Sequence, residues 1–93
     1  MEDTGNTFTL RMIGPESVFF EGRAHMAEIM TQEGTIGVLK GHIPLTALLR
    51  PGTIRIRQGE AVKEAVLSEG FAEVLPDRVT ILTRGCKWTR NGE

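Results

Sequence analysis

His25, His42, Cys86 and Lys40 are the side chains through which this chain could do chemistry. Lys40 lies in a glycine-rich stretch, Gly34-Thr35-Ile36-Gly37-Val38-Leu39-Lys40-Gly41, so a phosphate loop is the first possibility. That loop needs a glycine before its lysine and a serine or threonine after it. Here Leu39 precedes Lys40 and Gly41 follows it. No helix is predicted after the stretch to offer its N-terminus to a phosphate, so nucleotide binding by this loop is not expected. His25, His42 and Cys86 are the strong soft-metal ligands, and no two are near in sequence. A structural zinc site usually takes four ligands in close pairs. Hydrolysis would need a histidine beside a nucleophilic serine, yet Ser17 and Ser68 sit among turn residues with no elbow motif around them. No catalytic, cofactor-binding or metal-binding residue is assigned, and the chain is expected to need no cofactor.

His42 keeps two readings, a ring that satisfies backbone groups of its own turn and a ring displayed to a partner. Trp88 packs back on the body of the domain or anchors an interface.

Composition narrows the partners. The 93 residues suit one small domain with one core. Twelve acids against 11 bases leave a formal charge of -1, which argues against nucleic acid. No apolar run approaches the length of a membrane span, so direct membrane insertion is not expected. The acidic, polar start Met1-Glu2-Asp3-Thr4-Gly5-Asn6 is neither a signal nor a transit peptide. A single cysteine excludes an intrachain disulfide and fits a reducing compartment.

The elements that must position these residues read as strands. Phe8 to Met12 alternates apolar and polar, and Val18-Phe19-Phe20 is a short strand closed by Glu21-Gly22. Arg23 to Thr31 alternates weakly, with Ala27 and Ile29 on one side and Met26 and Met30 on the other. Ile36 and Val38 share a parity, and Gly37 between them leaves room for a close neighbour. Lys40-Gly41 is a turn, and Ile43-Pro44 an extended exit. Arg50-Pro51-Gly52 is a turn, after which Ile54 and Ile56 point in and Arg55 and Arg57 point out. Glu60 to Leu67 is ambiguous: its Ala, Leu, Lys and Glu favour a helix, its flanking glycine turns a strand. Phe71 to Val74 and Val79 to Thr83 are further strands around the turn Leu75-Pro76-Asp77-Arg78. Eight or nine short strands at this spacing predict a sandwich or barrel.

Several of these segments also carry a family pattern. Glu33-Gly34-Thr35-Ile36-Gly37-Val38-Leu39-Lys40-Gly41-His42-Ile43-Pro44-Leu45 resembles the signature of the epsilon subunit of F-type ATP synthases. Arg50 to Ile56, Ser68 to Val74 and Val79 to Leu82 resemble later pieces of that family in the same order, so the resemblance spans residues 8–83. It implies an all-β fold, a flattened antiparallel sandwich of two sheets with eight to ten short strands, and it resolves Glu60 to Leu67 as a strand. Residues 1–7 are then expected to be disordered, 8–84 to form the sandwich, and 85–93 to be a frayed tail.

The resemblance implies a non-catalytic part of the central rotor stalk, coupling ion flow to ATP synthesis. Its partners would be the gamma subunit, the c subunits of the rotor ring and, indirectly, the catalytic head. Its location would be peripheral, on the cytoplasmic face of the bacterial inner membrane. By the same resemblance Glu33, Gly34, Thr35, Gly41 and His42 form a rim that docks on the ring. Leu45, Thr46, Ala47, Leu48, Leu49 and Ser68 face gamma. Thr35 stands where the family usually has glutamate, Lys40 where it has proline, and Glu69 where it has the first of two glycines. The helical hairpin that follows the sandwich in many members is not seen here, so no inhibitory or ATP-sensing role is carried over. The competing reading is a free-standing β-sandwich adaptor.

Overall fold

In the computed structural model, which describes residues 4–90, apolar alternation becomes ten strands. They are β1 (Phe8–Ile13), β2 (Val18–Ala24), β3 (Met26–Thr31), β4 (Gly34–Val38) and β5 (Leu45–Leu49), then β6 (Gly52–Gln58), β7 (Ala61–Leu67), β8 (Gly70–Leu75), β9 (Arg78–Thr83) and β10 (Cys86–Arg90). Among the described residues there is no α-helix, and Thr4–Asn6 makes one 3-10 turn. The order along the sheet is β10-β7-β6-β3-β5-β8-β9-β1-β2, with β4 on the other side of β3.

A single bridge, Thr31 opposite Leu49, joins β3 to β5. The order therefore divides into two halves, β4-β3-β6-β7-β10 and β5-β8-β9-β1-β2, folded face to face into a nearly closed, flattened body of 36 × 29 × 23 Å. All pairings are antiparallel except β1 with β9, which run parallel.

The inward faces meet in one core. Leu10, Met12, Ile29, Ile54, Ile56, Val74, Val79 and Ile81 are at most 1% exposed. The alternation of Ile54 and Ile56 against Arg55 and Arg57 holds as read, and so does that of Ala27 and Ile29 against Met26 and Met30. Over β7 the strand reading holds against the local helical bias. Ala65 and Leu67 are buried while Val66 between them is 45% exposed, a period of two that no helix gives.

Three expectations need correction. β2 runs on past Glu21-Gly22 to Ala24, and the chain bends at His25 instead. Gly22 lies opposite Leu10 in the ladder, and a Cβ there would sit 3.2 Å from the Phe20 ring, so this glycine serves packing and not a turn. Second, Gly37 lies in β4 with nothing within 4 Å of where its Cβ would be, so no described group approaches it closely.

Third, Cys86–Arg90 is a strand, where the sequence shows little periodicity. It pairs with β7 through Cys86 opposite Leu67 and Trp88 opposite Ala65. Trp88 also meets Phe20 of β2 edge-on, with ring centroids 5.8 Å apart. A geometry of this kind is worth about 1 kcal/mol beyond buried area and clasps the outermost strands of the two halves together. At the other terminus Thr7 is buried under the Arg23 guanidinium, whose Nε and Nη2 donate to its hydroxyl. The remainder of the expected terminal disorder, residues 1–3 and 91–93, lies outside the described residues.

Candidate docking surfaces

The β3–β4 turn is built by one side chain. The buried Thr31 hydroxyl donates to the Gly34 carbonyl at 2.7 Å and accepts from the Glu33 amide at 3.1 Å. Gly34 takes φ +126°, a conformation that a Cβ would strain. The turn holds Glu33 and Thr35 exposed at its tip, and the Glu33 carboxylate has no ion pair or hydrogen bond among the described residues. Thr31 was missed by the sequence reading because a threonine in an alternating strand carries no sign of a cap. The turn is tied to β5 through Gln32 N–H donating to the Leu48 carbonyl at 2.9 Å.

The β4–β5 turn lies at the other end of the sandwich. Gly41 takes φ +87°, and its N–H donates to the Pro76 carbonyl at 2.7 Å, which seats the turn on the β8–β9 connection. His42 is half-buried, its backbone N–H donates to the Leu39 carbonyl, and its Nδ1 donates to the Ile43 carbonyl at 2.7 Å. The ring satisfies its own turn, the first of its two readings. Glu33, Gly34 and Thr35 are thus separated from Gly41 and His42 by the length of β4, on the order of 16 Å at the usual strand rise. The five residues do not form one patch.

What Glu33 does meet is β5. A groove of about 390 Å³ opens between the β3–β4 hairpin and β5, lined by Glu33, Ile36, Leu45, Ala47 and Leu48 among others. Strand alternation splits the β5 residues: Leu49 is core at 3% exposure, Leu45 and Ala47 are half-buried, and Thr46 and Leu48 face out. Ser68 is half-buried in the turn before β8, where its N–H donates to the Gly85 carbonyl and its carbonyl accepts from the Thr83 hydroxyl at 3.0 Å.

Register reveals a surface that spacing did not. Leu48 lies opposite Phe71, Phe71 opposite Leu82, Leu82 opposite Ile13, and Ile13 opposite Val18. These five side chains cross the whole outer face of one half in a row, with Leu48 61%, Phe71 39%, Leu82 47% and Val18 47% exposed. The next row out from this end is Thr46, Glu73, Thr80, Arg11 and Glu21, polar throughout. Four neighbouring large apolar side chains left in water are an unusual cost for a small domain, and such patches mark interaction sites.

The outer face of the other half is its opposite. Arg55 lies 2.9 Å from Glu64 and 3.7 Å from Glu28, and Arg90 lies 3.8 Å from Glu64. The Glu64 side chain is 19% exposed, so it is the least screened member of the network. Glu64→Gln is expected to cost about 1 kcal/mol, read as a lower urea midpoint at unchanged slope. Burial pushes the Cys86 thiol up from its ordinary value, which keeps it protonated and a poor nucleophile.

The profile of the ATP synthase delta/epsilon chain β-sandwich domain matches residues 7–89. The chain belongs to that family. Among similar proteins, the ATP synthase epsilon chain of Caldanaerobacter subterraneus subsp. tengcongensis is 42% identical over 88% of this chain and 60% of its own length. That of Magnetococcus marinus is 40% identical over 84% and 57%, and that of Anoxybacillus flavithermus 38% over 87% and 60%. The chain thus spans about three-fifths of the length of these curated relatives.

Solved structures agree. A chain of the Euglena gracilis mitochondrial ATP synthase, determined by cryo-EM as OSCP/F1/c-ring in rotational state 1, superposes with a TM-score of 0.83 at 27% identity. The match covers 88% of this chain and 53% of that one. A chain of the Tetrahymena thermophila mitochondrial ATP synthase central stalk and c-ring superposes at 0.70 over 85% of this chain and 64% of that one. At 13% identity it supports the fold alone. In this delta/epsilon sandwich, then, the polar hairpin and the apolar row share one end of the molecule, and the His42 turn occupies the other. Among the described residues no helix is long and apolar enough to cross a membrane.

Proposed function

We propose that this domain is an epsilon-type module of the central stalk of a rotary ATP synthase. It grips gamma with one surface and rests on the polar loops of the c-subunit ring with another, so that ring rotation driven by ion flow is coupled to ATP synthesis. The observation that carries the reading is the in-register row Leu48–Phe71–Leu82–Ile13–Val18, a rigid apolar strip on a family member whose relatives are named as epsilon chains. Gamma is assigned to that row together with the exposed side of β5. The ring is assigned to Glu33, Gly34 and Thr35.

Gly41 and His42 are taken off the ring-facing rim, because the same end cannot carry both turns. The domain contributes binding surfaces and not a reaction centre, and its place is peripheral, on the cytoplasmic face of the bacterial inner membrane. Leu49 supports β5 from the core and Ser68 holds its turn, so neither is expected to touch gamma directly.

The hairpin has little apolar surface to bury, and polar groups of this kind set register and on-rate more than affinity. Most of the grip is therefore expected from gamma. Glu33→Lys should weaken assembly with the ring, leave the gamma complex intact and cost no more than about 0.5 kcal/mol of stability. The decisive experiment places cysteine at Thr35 in a Cys86→Ser background and seeks crosslinks to ring-loop cysteines in assembled complexes. Crosslinks from Gln58 or Gly59 alone would mean that the domain sits the other way up. A pull-down from membranes that recovers neither gamma nor ring would favour a free-standing adaptor.

A further inference from the structure

Among the described residues the buried polar side chains are those of Thr7, Thr31 and Thr83. Thr31 and Thr83 share the Glu33 end of the sandwich. Register sets them in one cross-strand row: Thr31 opposite Leu49, Leu49 opposite Gly70, and Gly70 opposite Thr83. Each is 5% exposed, so its hydroxyl must find partners inside the protein. Thr83 donates to the Ser68 carbonyl at 3.0 Å. Thr31 takes its partners from the hairpin ahead of it, the Gly34 carbonyl at 2.7 Å and the Glu33 N–H at 3.1 Å.

Those two bonds bracket Glu33 and Gly34. One holds the amide that enters Glu33 and the other the carbonyl that leaves Gly34, so a single hydroxyl limits the torsions of both residues. Gly34 meets this demand at φ +126°, where a side chain would strain. The same strand end is tied to the neighbouring half of the sandwich. Thr31 opposite Leu49 is the bridge between β3 and β5. Hydrogen bonds flank it, from Gln32 N–H to the Leu48 carbonyl at 2.9 Å and from Arg50 N–H to the Met30 carbonyl at 3.1 Å. Leu48 opens the apolar row, so a short hydrogen-bonded path joins the hairpin tip to that row.

We infer that Thr31 is a positioning residue, whose hydroxyl presents Glu33, Gly34 and Thr35 as a tip formed before docking and fixed relative to the apolar row. Its use in docking rests on the assignment of the tip to the ring and of the row to gamma; the fixing of the tip does not. A polar tip has little apolar surface to bury, so binding would suffer if the tip had to be ordered at the moment of contact. A tip set beforehand loses no such freedom, and its donors and acceptors meet the ring in one register. Thr31 itself is buried and acts through the backbone of the residues ahead of it.

The test has two arms. In the first, amide exchange at Glu33 is measured by NMR on the 15N-labelled chain. Thr31→Val keeps the shape of the side chain and removes the hydroxyl, so exchange at Glu33 should quicken about tenfold, the effect of one hydrogen bond. Thr31→Ser should restore the parent rate, and Thr83→Val should leave it unchanged. Gly34→Ala meets nothing within 4 Å and acts through its backbone alone, so it too should quicken exchange at Glu33. In the second arm, crosslinks from Thr35→Cys in the Cys86→Ser background are mapped along the ring loop. They should cluster at one loop position, spread to its neighbours when Thr31→Val is added, and cluster again with Thr31→Ser. Unchanged Glu33 exchange in Thr31→Val, a Thr31→Ser variant that behaves like it, or an equal response to Thr83→Val would overturn the role of Thr31. So would a crosslink pattern that Thr31→Val does not move. No ring crosslink in the parent would instead remove the ring assignment, and the exchange arm would still decide whether Thr31 holds the tip.

Discussion

Leu48→Asp combined with Leu82→Asp is expected to weaken association with gamma severely while leaving the domain folded. The two positions lie on either side of Phe71 in the apolar row and are 61% and 47% exposed, so each side chain is already partly in water. Losing what remains buried should cost the fold about 1 kcal/mol apiece, well inside the stability of a domain of this size. Binding has more to lose. A carboxylate at the centre of a dry interface removes an apolar anchor and leaves a charge without water or partner, and central anchors are typically worth about 2 kcal/mol or more each. Two of them should weaken the gamma complex by roughly a thousandfold.

The measurement is affinity for gamma by surface plasmon resonance, with urea midpoints as the control for folding. The reference variant is Thr46→Asp together with Thr80→Asp, on the polar row next to it. If that pair weakened gamma as much as the Leu48 and Leu82 pair, the row would not be the grip. If both left affinity unchanged, gamma would hold another face.

Why the row escaped the sequence is a matter of register. Leu48, Phe71, Leu82, Ile13 and Val18 are far apart in the chain, and each taken singly is an ordinary apolar residue in a strand. Only the pairing of five strands places them side by side, and nothing local states which residue will lie opposite which. The same limit applies to the two turns at the ends of β4. Glu33 and His42 are nine positions apart, and the glycines around them suggest one compact loop. β4 between them runs straight, so the strand that supports both turns also separates them. By contrast, Ile54 and Ile56 were legible from parity alone, since the period of two is a property of the strand itself. β7 was legible only with the family pattern, because its alanines, glutamate and lysine lean helical and tertiary pairing overrides them. β10 had no legible period because Trp88, Cys86 and the neighbouring β7 edge hold it, not an alternating face.

The glycines allow a sharper test, since the same substitution should act with opposite sign at two of them. Gly70 opens β8 between Leu49 and Thr83. A Cβ there would run into the Leu82 carbonyl oxygen and sit 3.0 Å from the Thr83 Cα. Both are backbone atoms of a paired strand, so neither can move without breaking the ladder. Gly70→Ala is therefore expected to cost about 3 kcal/mol, the upper range for overpacking a rigid site, and to lower the melting temperature by roughly 15 °C in a domain this small. Gly37→Ala meets nothing within 4 Å, and Gly37 is not among the positive-φ glycines. There the alanine mainly narrows the unfolded ensemble, so stability should rise by about 0.5 kcal/mol. Glu69 stands just before Gly70 where the family usually has another glycine, and its carboxylate reaches Arg84 at 3.4 Å on the surface. Of the pair, only the second position has backbone against it, which is why the first can vary. Urea denaturation of the two alanine variants beside the parent decides the matter. A Gly70→Ala midpoint within experimental error of the parent would mean that β8 and β9 lie farther apart than this packing requires.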